Sequence, residues 1–172
     1  MQELLKTRKF TVVRKQVRAS DGSTRDIDVV RHPGAVVVLP LLSADEVLMI
    51  RNFRHTLDRE LWELPAGTLD EPGESPIDAA ARELEEETGY RAGRIDPLGE
   101  FYPSPGFLNE LIHAYVATDL TKTEQRLEPL EMIHVETVAR DEAVRMAYDG
   151  RLLDAKSIIT LLRWDWKQRT SR

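Results

Sequence analysis

The stretch AGTLDEPGESPIDAAARELEEETGY, residues 66–90, decides the fold. Its second half reads as a helix with marked ends. Ser75 stands where an N-cap is needed, and Pro76 takes the first helical position, where a missing N–H costs nothing. Asp78 completes a capping-box pattern, and Gly89 supplies the C-terminal stop. Ile77, Ala80, Ala81, Leu84 and Thr88 recur at three- and four-residue spacing and predict one buried stripe. The residues from Glu83 to Glu87 are all glutamates except Leu84. They sit at a helix end whose backbone carbonyls already present partial negative charge. On a wheel of about 100° per residue, Glu83 and Glu87 lie within about 40° of each other and Glu86 about 60° from Glu83. Glu85 points elsewhere. Like charges one turn apart repel by roughly a few tenths of a kcal/mol, and such local violations are expected at functional sites. A hard divalent cation removes the conflict, because magnesium takes an octahedron of oxygens and keeps waters and substrate phosphates in its shell. The competing reading is a solvated acidic face with Arg82 paired to Glu86.

Working outward, the first third of the chain reads as β-structure. FTVVRKQVRA and TRDIDVVRH flank SDGS, whose Asp21–Gly22 pair signals a hairpin. GAVVVLPLL and EVLMIRNFRH follow, with a turn near Ala44–Asp45, and then ELWELPAG, read as one short strand. Beyond the helix come strands in IDPLGEFYP, LIHAYVATDL and EMIHVETVA. RDEAVRMAYDG and DAKSIITLLRWDWKQR read as two further helices. This order lacks the regular alternation of a doubly wound sheet. It predicts an α/β fold in which a mixed β-sheet is sandwiched between helices, with an N-terminal antiparallel hairpin.

With 172 residues, the chain suits one domain, 1–172, able to bury roughly 70% of its unfolded surface. It has no cysteine, which excludes disulfides and thiolate metal sites. The opening MQELLKTRKF lacks the apolar stretch of a secretion signal, and the apolar run AVVVLPLL is too short to span a bilayer. A cytoplasmic protein without a membrane partner is expected. The formal charge of −6 argues against a broad nucleic-acid surface. His32, His55, His113 and His134 show no metal-ligand spacing, and Trp62 is expected in the core.

The quoted stretch closely resembles the Nudix box. That motif runs glycine, glutamate, then Arg-Glu-aliphatic-any-Glu-Glu-any-Gly-aliphatic. Gly67, Glu74, Arg82, Glu83, Leu84, Glu86, Glu87 and Gly89 match in order, and Tyr90 takes the last apolar place. One extra residue separates Gly67 from Glu74. The resemblance implies hydrolysis of a diphosphate linked to another moiety, with two or three magnesium or manganese ions. It implies Glu83 and Glu87 as the main metal ligands, Glu86 as a further ligand or supporting group, the Ala66 carbonyl as a backbone ligand, and Arg82 as the orienting group for a neighbouring carboxylate such as Glu74.

Further residues are similar to the ADP-ribose pyrophosphatase branch. Pro105 follows the box glycine at that branch's spacing, and Ser104-Pro105-Gly106 with Glu110 has its local form. Physically, Pro105–Gly106 makes a tight loop able to close over a sugar or phosphate, with Glu110 accepting from ribose hydroxyls or reaching the metals. Arg54, at a strand end, is the implied phosphate ligand, with Arg51 the weaker candidate. Phe10 and Arg25 match the branch's adenine-holding residues only loosely. The general base is implied in the acidic loop EQRLEPLEMIHVE. There Glu131 aligns with an acid that also reaches a metal, Pro129 replaces a second acid, and Glu128 is the alternative. The implied reaction converts ADP-ribose to AMP and ribose 5-phosphate, in a homodimer that exchanges strands at about residues 8–32. Two rivals share the motif: a hydrolase of GDP-mannose or another nucleotide sugar, and a Nudix-fold sensor that binds without catalysis.

Overall fold

The computed structural model describes residues 1–170. Three strands open the chain, β1 (Gln2–Lys6), β2 (Thr11–Arg18) and β3 (Thr24–Arg31), and pair antiparallel in the order β1-β2-β3. The body follows as β4 (Ala35–Pro40), β5 (Glu46–Arg54), β6 (Arg59–Glu63), β7 (Ala66–Thr68), α1 (Pro76–Thr88), β8 (Tyr90–Arg91), β9 (Arg94–Phe101), β10 (Ile112–Thr118), β11 (Thr121–Lys122), β12 (Ile133–Ala139), α2 (Arg140–Asp149) and α3 (Ala155–Thr170). One sheet runs β7-β4-β10-β9, with β4 and β10 parallel; a second runs β12-β5-β6, and β8 pairs with β11.

β4 shows why the sheet lies between helices. Val36 and Val38 point to one face and meet Ala79, Ala80 and Leu84 of α1. Val37 and Leu39 point to the other and meet Met49 of β5, Met146 of α2, and Leu161 and Trp164 of α3. A strand covered on both faces reads as an unbroken apolar run rather than an alternation. Trp62 packs at the margin of that second cluster, and Trp166 stays exposed.

Helix α1 starts and stops where the sequence predicts. Ser75 is extended and its hydroxyl accepts the Asp78 N–H at 3.3 Å; Gly89 is left-handed at φ 69°. Its buried face differs from the predicted stripe. Ile77 and Ala81 are exposed, whereas Ala79, Ala80, Leu84, Glu87 and Thr88 are buried. The helix is turned so that a carboxylate, Glu87, faces inward, a position that pattern reading assigns to apolar residues.

Two other expectations change. ELWELPAG is two strands: β6 pairs with β5 and β7 with β4, and the chain passes between sheets at Leu64–Pro65. Strand β1 was not predicted, and all five of its residues are exposed, so no buried face marks it. The β1–β3 sheet joins the body through Val30, whose N–H donates to the Phe107 carbonyl at 2.8 Å and whose carbonyl accepts from Asn109 at 3.2 Å. Among the described residues, no helix is long and apolar enough to cross a membrane.

Candidate active site

The last two turns of α1 carry the acids to the free edge of β7. Glu87 is 4% exposed, and its Oε2 accepts the Ala66 N–H at 2.8 Å. Burial pushes its pKa well above the usual carboxylate range, and the nearby charges of Glu83 and Glu131 add to this against the Ala66 bond. Burial likewise pushes Glu83 up to about 7, opposed by Arg82 and reinforced by Glu86 and Glu131. Glu85 faces the other way and accepts both arms of Arg91, at 3.1 and 3.0 Å.

Arg82 organises the acids. It grips Glu74 through Nε and Nη2, at 2.9 and 3.0 Å, and its Nη1 donates to Glu83 at 2.7 Å and Glu86 at 3.1 Å. The solvated-face reading anticipated only the pair with Glu86. Here one guanidinium joins the box loop to two glutamates, all partly buried.

Ala66 and Gly67 approach the glutamates from β7. Val38 N–H donates to the Pro65 carbonyl at 2.9 Å, so Val37 and Ala66 form the pair that exchanges no ladder bonds. Ala66 therefore turns its N–H and its carbonyl away from β4, toward the glutamates. Gly67 lies against Glu83.

The loop from Thr123 to Met132 caps this helix end. Thr123 N–H donates to the Gly89 carbonyl at 2.7 Å and Arg126 N–H to the Glu86 carbonyl at 2.9 Å, while Gln125 Nε2 donates to the Glu87 carbonyl at 2.7 Å. These donors satisfy carbonyls that a helix end leaves unpaired. Gln125 was missed from sequence, since nothing local marks a side chain that acts on a distant helix. Pro129 shapes a turn closed by the Glu131 N–H on the Glu128 carbonyl at 3.0 Å. The Glu131 carboxylate accepts the Glu128 N–H at 2.8 Å, and its charge adds to what raises the pKa values of Glu83 and Glu87. Glu128 instead faces solvent, 3.4 Å from Arg8.

A cavity of about 300 Å³ opens beside this wall, bordered by Arg54, Ala66, Gly67, Glu110, Asp154 and Lys156 among others. Arg54 thus reaches the cavity. Arg51 does not border it and pairs with Glu60 and Glu136. Glu110 borders it and lies 3.5 Å from His32 Nδ1. Ser104 accepts the Leu108 N–H at 3.1 Å in a turn through Pro105, but Pro103, not Ser104 or Pro105, borders the cavity. Phe10 lies exposed in the turn between β1 and β2, and Arg25 lies exposed on β3. A larger cavity of about 460 Å³, beside Pro97, Glu100, His113 and Tyr115, has none of the box residues in its wall.

Lys156 and Asp154 were also missed, because they act from the start of α3. Glu63, wholly buried, is pushed up by desolvation, yet Arg54 and Lys156 outweigh this and hold its carboxyl below the usual range.

Among the described residues, no three acids or histidines already converge on one point. Glu83 is drawn to Arg82 and Glu87 to the Ala66 amide. The donor set still fits a hard divalent cation: all oxygens, with buried carboxylates that raise one another's pKa, a backbone carbonyl on the facing edge, and a glycine leaving room for the Glu83 head.

A mixed sheet between helices, with an arginine-organised acidic helix at its edge, defines the Nudix type of α/β protein. The chain belongs to the Nudix family: residues 31–161 match the NUDIX domain. It is 39% identical over 147 residues to the methanol dehydrogenase activator of Bacillus methanolicus, covering 84% of this chain and 79% of that protein. It is 37% identical over 145 residues to the ADP-ribose pyrophosphatase of Bacillus subtilis, covering 83% and 78%. A GDP-mannose pyrophosphatase of Yersinia enterocolitica is 36% identical over 140 residues, covering 76% and 72%. The solved structure of an ADP compounds hydrolase shares the fold, with a TM-score of 0.84 over 99% of this chain and 92% of that one at 22% identity.

Proposed function

We propose that this protein hydrolyses the diphosphate bond of a nucleoside diphosphate sugar, ADP-ribose, to AMP and ribose 5-phosphate. The observation that carries this is the double role of Ala66 and Gly67. Both border the cavity that holds Arg54, and the same two residues touch Glu87 and Glu83. A diphosphate lying along that strand meets a cation on one side and the acidic wall on the other. The pyrophosphatase relatives support this class of substrate.

Two or three magnesium or manganese ions, held by Glu83, Glu86, Glu87, Glu131 and the Ala66 carbonyl, would neutralise the diphosphate and lower the pKa of bound water. The chain's own residues supply the rest. Arg82 keeps Glu83, Glu86 and Glu74 oriented. Arg54 binds the diphosphate, and Glu110, with Pro103 at the start of the Ser104–Pro105 turn, borders the place for the sugar. Water attacks one phosphorus, the bridging P–O bond breaks, and Glu131 takes the proton from the water.

We read the chain as one domain, 1–172, working in the cytoplasm as a homodimer. Leu4, Leu5 and Ile27 are exposed on the outer sheet and Phe10 in its β1–β2 turn, where a second copy would bury them. The GDP-mannose pyrophosphatase relatives favour a second substrate reading. A panel of ADP-ribose, GDP-mannose, NADH and diadenosine polyphosphates with magnesium, read by coupled phosphate release, tests both. ADP-ribose should give the highest kcat/KM. GDP-mannose as best substrate would select the alternative, and no turnover on any would make the protein a binder.

A further inference from the structure

The start of α3 forms one wall of the cavity and is tied by hydrogen bonds to the strand that leads into Ala66. Asp154 caps the helix, accepting the Ser157 N–H at 3.0 Å. The buried Ser157 hydroxyl accepts the Leu64 N–H at 2.7 Å. Lys156 then reaches inward, 2.7 Å from Glu63 Oε2 and 2.9 Å from Asp154 Oδ1. Glu63 is 1% exposed, so its charge needs partners on the spot. Its second partner is Arg54, which grips both carboxylate oxygens with Nε and Nη2. That grip uses one edge of the guanidinium and leaves Nη1 as the group not engaged by Glu63.

We propose that Lys156 is a positioning residue: by holding Glu63 from the α3 side, it keeps Arg54 turned toward the diphosphate. Glu63 Oε2 receives both Arg54 and Lys156, so three elements, β5, β6 and α3, meet on one carboxylate. Without Lys156, Arg54 becomes the sole cation on a buried charge. The carboxylate keeps only the Arg54 grip, and no group from the α3 side then fixes the orientation of that pair. Arg54 is a long side chain at a strand end, 40% exposed, and Glu63 is the carboxylate that grips it. A shared buried network of this kind is where deletions cease to be additive.

The proposal rests on Arg54 binding the diphosphate, and a double-mutant cycle on the full chain with magnesium and ADP-ribose separates the two ideas. Lys156→Met should raise KM about tenfold with kcat within about threefold, the pattern of lost uniform binding. Lys156→Arg should restore most of it, since a guanidinium can bridge Glu63 and Asp154. Arg54→Ala should raise KM as well, and in that background Lys156→Met should add less than about twofold. Penalties that multiply, or an unchanged KM in Lys156→Met, would overturn the positioning role while leaving Arg54 in place. An unchanged KM in Arg54→Ala would remove Arg54 from the diphosphate and this proposal with it. Thermal melts accompany each variant. If Lys156→Met does not fold, Lys156→Gln, which keeps a donor in the gap, takes its place under the same criteria.

Discussion

Gly67 and Glu83 are in such close contact that a β-carbon at residue 67 would lie 1.9 Å from Glu83 Cδ. The glycine is required for room, not for an unusual backbone angle. The obstructing atoms are the far end of a flexible side chain, so Gly67→Ala can be accommodated by swinging the carboxylate away. The variant should therefore fold with a melting temperature near that of the parent, yet lose at least about tenfold in turnover and need more magnesium for half-saturation, because small misplacements of catalytic groups are costly. A magnesium titration of activity, with a thermal melt, checks both halves.

Glu83→Gln and Glu87→Gln should each lower turnover by at least about a hundredfold, the scale of lost metal and electrostatic stabilisation. Glu85→Gln should stay close to the parent, since Glu85 is turned to Arg91 and Arg126 on the opposite flank. Steady-state kinetics on the three variants decide it; a Glu85 effect equal to that of Glu87 would refute the division of the helix into two faces.

The same acids make the metal-free protein sensitive to pH. Burial raises Glu83 to about 7 from an ordinary 4.5, and raises Glu87 well above its own ordinary value. A carboxyl whose pKa is higher folded than unfolded binds its proton more tightly when folded. Its stabilising contribution is complete below the unfolded value and is lost as pH rises through the folded one. In EDTA, the melting temperature of Glu87→Gln relative to the parent should thus increase from pH 5 to pH 7.5. A difference that is flat or falls over that window would contradict the assignment.

Glu131 and Glu128 give a direct contrast. The first bears electrostatically on Glu83 and Glu87, its carboxylate held by the Glu128 N–H; the second faces solvent beside Arg8. Glu131→Gln should lower kcat by roughly 10²–10⁴-fold with little change in KM, the range for a lost general base. Glu128→Gln should change little. The reverse result would move the base to Glu128, and full activity in both would point into the box, to Glu86.

Hydrolysis of ADP-ribose in oxygen-18 water should place the label on one product phosphate, as attack at phosphorus requires. Mass spectrometry of AMP and ribose 5-phosphate reads it out, and label on a ribose hydroxyl would mean glycosidic cleavage instead.

The ends of α1, the separation of Glu85 from its neighbours and the longer β-strands β4, β5, β9, β10 and β12 are legible in the chain itself. Each depends on local chemistry: a cap, a proline, a glycine, a wheel angle, a run of β-branched residues. The inward turn of Glu87 is not legible, because it answers to the Ala66 amide on strand β7, 21 residues earlier. Nor is the turn through Pro129, in which the Glu131 carboxylate accepts the Glu128 N–H while the Glu128 side chain faces solvent. Gln125, Lys156 and Asp154 stand in stretches whose local pattern is an ordinary loop and an ordinary helix start. Their partners, the Glu87 carbonyl and Glu63, are 38 and 93 residues away in sequence for Gln125 and Lys156. Propensity and periodicity act over a few residues, whereas a buried charge is stabilised by whatever the packed elements bring to it, and only the folded chain decides that.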